Sequence, residues 1–134
     1  TSFKPVSLNL ASVFWYKKNK LEDNLAIQLI AMELIKNGFK ILKMSKNNIP
    51  NYGVHIIGIK NKIIHFFHTK KRADQNMNFL KNSFESNLVS KLKDESIQFF
   101  KKTKTTIKYK FMIGLVTLFN SNPNIRVFEI NVEQ

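Results

Sequence analysis

The run from Tyr52 to Arg72, YGVHIIGIKNKIIHFFHTKKR, constrains the fold more than any other part of the chain. Val54–Ile59 and Ile63–Thr69 are rich in β-branched and aromatic residues, which favour strands. The polar Lys60–Asn61–Lys62 between them is short enough to be a tight hairpin turn. All three histidines of the chain, His55, His65 and His68, fall inside this stretch. Side chains alternate along a strand, so His68 and Lys70 share one face and His65 points to the other. His55 lies on the partner strand, within reach of His68. The rest of the chain reads as support for this hairpin, or as positive charge placed around it.

A helix is predicted from Leu21, with a stripe of Leu21, Leu25, Leu29 and Met32 widened by Ile27, Ile30 and Leu34. Glu22 and Asp23 suit its first turn, and Asn37-Gly38 is a strong stop. Phe39–Leu42 follows as a short strand, then the polar loop Ser45–Asn51 leads into the hairpin. A second helical region spans about Asp74–Lys101, where Met77, Leu80, Phe84 and Leu88 repeat at three and four. A break is expected near Lys93-Asp94. Two more strands, Ile107–Phe119 and Asn124–Val132, flank the turn Asn120–Pro123. Residues 1–20, with Pro5 and the basic Tyr16–Lys20, form an N-terminal arm or linker. Residues 21–134 form one α/β domain, a mixed central sheet flanked by helices.

Composition narrows the partners. Twenty-two Lys and Arg against nine Asp and Glu give a formal charge of +13, which attracts polyanions. Nucleic acid is the first expectation. An anionic membrane surface, an acidic protein partner, or simply a Lys-rich solvated surface are the competing readings. The chain contains no cysteine, which excludes disulfides, thiolate zinc sites and a Cys nucleophile. No run reaches the roughly 18–20 apolar residues of a membrane span. The first residue is Thr1 rather than Met, as expected of a piece excised from something longer.

A helix ending in Asn-Gly-Phe, a strand, a loop and then GVHIIGI…IIHFFHTKKR resembles the core of the PD-(D/E)XK nuclease superfamily. The likeness is to archaeal-type Holliday-junction resolvases and their small bacterial relatives, and it covers Leu21–Arg72. It implies a restriction-endonuclease-like core. It also places the family's motif Asp on His55, its Glu on His68 and its Lys on Lys70, so only the lysine survives. The family's helix Glu has no clear counterpart: Glu22 is too far from Gly38, and Gln28 lies nearer the expected position. Those carboxylates hold Mg²⁺, a hard cation for which imidazole is a poor ligand. The resemblance therefore implies no metal and no cofactor here.

Histidines at these positions permit another chemistry. Imidazole titrates near neutrality and can act as general acid or base. Attack of an RNA 2′-OH on its own phosphate needs an acid, a base and a cation, but no metal. The expected roles are His55 and His68 as the acid–base pair and Lys70 as electrostatic stabiliser. Lys71, Arg72, Lys101, Lys102 and Lys104 would bind phosphates. A histidine on an apolar strand is ordinarily a hydrogen-bonded core residue, and His65 is read that way. A zinc site built from two or three histidines would lack a convincing further ligand. Phe66, Phe67, Phe99 and Phe100 are read as core.

A compact basic nuclease domain also resembles the C-terminal toxin domain of a bacterial competition system. That likeness implies delivery from outside as part of a larger secreted protein and action in the cytoplasm. It further implies a tRNA-type substrate and an acidic immunity protein as partner. The alternative is a catalytically inactive nuclease-fold module that binds DNA or RNA.

Overall fold

A computed structural model of the chain describes residues 23–46, 49, 53–72, 86–104, 107–119 and 122–130. The expected arm 1–20, the helix start at Leu21 and Glu22, and the helical stretch 74–85 lie outside the described residues. So do Asn120 and Ser121 of the last turn.

The described elements are α1 (Asp23–Lys36), β1 (Lys40–Met44), β2 (Ile56–Lys60), β3 (Ile63–Arg72), α2 (Ser86–Thr103), β4 (Tyr109–Phe119) and β5 (Asn122–Ile130). The strands form one mixed sheet in the order β1-β2-β3-β4-β5. Neighbours are antiparallel except β3 and β4, which are parallel. A parallel neighbour needs a crossover, and α2 supplies it. The fold is thus α/β, with a mixed five-stranded sheet and two helices among the described residues.

β3 is the centre of the sheet. Ile64, Phe66 and His68 face α2, whereas His65 and Phe67 face α1; all five are buried. Burial on both sides explains why the strand reads as a nearly unbroken apolar run. The hairpin turn forms where expected, with Asn61 at φ 53° and Lys62 at φ 63°. Positive φ at both central residues is the primed turn that matches strand twist. β5 tolerates Pro123 because it is an edge strand, where a missing N–H costs least.

α1 packs Ala26, Ile27, Ile30 and Leu34 onto Ile56, Phe67, Val116, Ile125 and Val127. Met32, expected in the buried stripe, is 49 % exposed. It stands two positions from both Ile30 and Leu34, about 200° round a helix of 3.6 residues per turn. Ala26 and Ala31 are buried with the large residues. Gly38, at φ 93°, ends the helix: Phe39 N–H bonds the Leu34 carbonyl and Gly38 N–H bonds that of Ile35. This double bond satisfies carbonyls that the helix end would otherwise orphan.

α2 runs unbroken through Lys93-Asp94, contrary to the expected break. Leu88, Leu92 and Ser96 form its buried line, which continues into half-buried Phe99. Phe66 receives Phe99 and Phe100 edge-on, with ring centroids 5.7 and 5.8 Å away. This aromatic cluster fixes the C-terminal half of α2 on β3. Among the described residues no helix is long and apolar enough to cross a membrane.

Candidate functional site

The polar features of the chain converge on the α2 face of the sheet, where β2 begins. His55 precedes β2 and extends its ladder: its N–H bonds the Phe67 carbonyl, and its own carbonyl accepts Ser45 N–H. That register puts His55 opposite His68. Their ring centroids are 4.7 Å apart at an interplanar angle of 36°. The sequence-based pairing of these two histidines is therefore what the geometry contains.

Their environments differ. His68 is 1 % exposed, and its Nδ1 donates to the Gly53 carbonyl at 2.8 Å. Burial, reinforced by the nearby His55 and Lys70, pushes its pKa down to about 4. At neutral pH His68 is an uncharged, tethered ring. His55 is 5 % exposed and lines a cleft. Its Nδ1 receives Thr69 N–H at 3.1 Å and lies 2.7 Å from Thr69 Oγ1. The backbone bond favours an unprotonated Nδ1, which places the neutral ring's hydrogen on Nε2. The Thr69 hydroxyl can donate to an unprotonated Nδ1 or accept from a protonated one, whereas the Thr69 N–H suits only the unprotonated atom.

A residue that sequence reasoning missed completes this corner. Glu95 reaches across from α2, and its Oε2 accepts the Val54 N–H at 2.5 Å. The carboxylate lies against Gly53, where an added Cβ would come within 2.8 Å of Oε2. Gly53 has φ 135°, in the region that favours glycine. One short segment thus ties the site together. Gly53 accepts from His68, Val54 holds Glu95, and His55 follows directly. No sequence spacing reveals this, because Glu95 and Val54 are 41 residues apart.

The cleft holds about 950 Å³ and lies between β1, the start of β2 and the C-terminal half of α2. His55 and Glu95 line it together with Lys43, Gln98, Lys101 and Lys102. A bulge at Leu42 breaks the β1–β2 register between Ile41 and Lys43. It turns both Leu42 and Lys43 toward the cleft, as bulges at sheet edges commonly re-aim side chains.

The other expected site residues are distributed more widely. Lys70 shares the α2 face with His68 and is half-buried, outside the cleft lining. Lys71 is exposed on the opposite face. Arg72 closes β3, and its side chain is not among those described. Lys101, Lys102 and Lys104 are exposed at the end of α2, the first two on the cleft. Gln28 is exposed and bonded to Asn24 on α1. His65 is structural: its Nδ1 donates to the Ile63 carbonyl, and Phe39 meets its ring edge-on at 4.9 Å. Burial pushes the His65 pKa down, although that carbonyl bond opposes the shift.

Two imidazoles and an ammonium at His55, His68 and Lys70 do not suit a hard cation such as Mg²⁺. Among the described residues the carboxylate nearby is that of Glu95, already engaged by a backbone N–H. Among the described residues no three His, Asp or Glu side chains gather as a metal-ligand set. No protein-family model matches the chain, and no curated protein matches it in sequence.

Proposed function

We propose that this cleft is the active site of a nucleic-acid-cleaving domain, a metal-independent ribonuclease acting as a bacterial toxin. The observation that carries the reading is one cleft lined by an imidazole, a carboxylate and three lysines. The helix, three antiparallel strands, crossover helix and parallel fourth strand also follow the order expected of a restriction-endonuclease-like core. The excess of positive charge, +13 overall, suits a polyanionic substrate.

The chemistry follows from the donors present. Oε1 of Glu95 takes the proton of a ribose 2′-OH as its oxygen attacks the adjacent phosphorus. The P–O5′ bond breaks as His55, in its imidazolium form with Nδ1–H donated to Thr69 Oγ1, gives its Nε2 proton to the departing 5′-oxygen and is left neutral. The products are a 2′,3′-cyclic phosphate and a 5′-hydroxyl. Lys101 and Lys102, with Lys43, offset the charge that builds on the phosphate. His68 is a positioning residue in this scheme. It holds Gly53, hence Val54 and Glu95, and it supports the His55 ring from behind. Lys70 adds positive potential from the same sheet face.

The test is incubation of the purified chain with total tRNA in excess EDTA, with analysis of the product ends. Cyclic phosphate and 5′-hydroxyl ends are expected, and His55→Ala or Glu95→Gln should each slow cleavage by about 10²–10⁴-fold. His68→Asn, which keeps a donor, should retain more activity than His68→Ala. Cleavage that requires a divalent ion and leaves 5′-phosphates would overturn the mechanism.

The near-complete burial of both histidines favours a second reading, an inactive nuclease-fold module that binds DNA or RNA. No cleavage of any substrate, with binding that weakens steeply in salt, is its signature. The acidic immunity protein belongs to the toxin reading: it would cover the lysine-lined cleft and block both cleavage and binding.

A further inference from the structure

We infer that Tyr109 is a base-stacking platform for a single-stranded stretch of the nucleic acid whose backbone runs along the end of α2. The inference rests on the proposed nucleic-acid function and adds a second contact point to it.

Tyr109 opens β4 on the α2 face and is 47 % exposed, unlike the other rings of its cluster. Its buried side is held firmly. Ring centroids lie 5.3 Å from Phe100, 5.5 Å from Phe111 and 6.1 Å from Phe66. The ring is therefore fixed in orientation while part of it meets solvent. A preorganised aromatic surface loses little entropy when a planar base settles on it. It also borders a shallow depression lined by Ile63, Ile107, Lys108 and Lys110.

Charge places the phosphates. Lys101 and Lys102 line the cleft at the end of α2, and the helix closes on Lys104, whose N–H bonds the Phe100 carbonyl at 2.9 Å. Lys104 adopts φ 54°, a left-handed conformation of the kind that ends a helix. Lys104 and Lys108 are both exposed. Phe99 of the cleft wall contacts Phe100 at 5.6 Å, and Phe100 contacts Tyr109. Two ring contacts thus connect the cleft with the exposed tyrosine, with Lys101 and Lys102 at the cleft end and Lys108 and Lys110 beside the tyrosine. Aromatic surface beside a lysine track is the arrangement that holds single strands with little sequence preference.

The experiment is fluorescence anisotropy of the full chain with a labelled 2′-O-methyl oligouridylate, which binds without being cut. A matched strand carrying abasic positions removes the bases while keeping the backbone. Tyr109→Ala and Tyr109→Leu should each weaken binding of the uridylate about tenfold, whereas Tyr109→Phe should bind like the wild type. The leucine variant keeps apolar cover over Phe100 and guards against a folding defect in the alanine variant. The abasic strand should bind wild type and Tyr109→Leu equally, with the same salt slope. Unchanged uridylate binding by Tyr109→Leu, or equal affinity of wild type for the two strands, would overturn the stacking site alone. Absence of binding to any oligonucleotide at low salt would overturn it together with the proposed function.

Discussion

The two faces of the sheet use the same strands for different purposes. On one face α1 reaches β1, β3, β4 and β5, and its aliphatic side chains pack around Phe67. On the other face the contacts of α2 concentrate on β3, and its aromatic seat lies toward one end. The corner toward β1 is left as the cleft, where His55 and Glu95 stand among lysines. One face is thus built for stability, while the other leaves part of its apolar cover out. Polar groups there are held by specific hydrogen bonds instead, which orient them more strictly than packing does.

The largest effect that tests this contrast is on stability. Phe67 is fully buried beneath α1, so Phe67→Ala should destabilise the domain by about 3–5 kcal/mol in urea or thermal unfolding. A cleft substitution such as Lys101→Ala should shift stability by less than about 0.5 kcal/mol. If the two cost the same, the division of labour between the faces is wrong.

The next effect is pH dependence. The His68 pKa is about 4 when folded and near 6.5 when unfolded, so the unfolded chain binds the extra proton first. Stability should therefore be full above about pH 6.5 and fall as the pH drops toward 4, by roughly 3 kcal/mol in total. His65, also shifted down, acts in the same direction. His68→Leu should flatten most of this dependence in denaturant titrations at several pH values. A slope unchanged by that substitution would place its origin elsewhere.

The smallest effect lies at the hairpin turn. Lys62 has a left-handed backbone, which strains a side-chain-bearing residue by roughly 1–2 kcal/mol, and glycine's extra chain entropy offsets part of the relief. Lys62→Gly should raise stability by under about 1 kcal/mol, measured as a shift of the urea midpoint. Destabilisation would mean that the Lys62 side chain contributes more than its backbone costs.

Much of the architecture was legible in the sequence because local signals carry it. The turn at Asn61-Lys62, the stop at Gly38 and the two hairpin strands each follow from short patterns. The continuity of α2 was less legible: charged Lys93-Asp94 interrupt the apolar period, yet they sit between the buried Leu92 and Ser96 without disturbing the helix. The opposition of His55 and His68 could be read from strand alternation. Their different hydrogen-bond partners could not, since these depend on how the segment at Gly53 and Thr69 meet the two rings. Glu95 and the bulge at Leu42 were invisible for the same reason. Each acquires its role from a partner distant in sequence, and neither belongs to a motif.

Engagement of nucleic acid by the α2 face, the proposed binding mode, can be mapped by amide chemical shifts. The labelled chain is titrated with the uncleavable oligouridylate at low salt. Perturbations are expected to concentrate at Lys43, Ser45, Val54, His55, Glu95, Gln98, Lys101 and Lys102, with little change at Asn24, Gln28, Met32 and Ile35 of α1. Perturbations centred on α1, or none at saturating oligonucleotide, would contradict it.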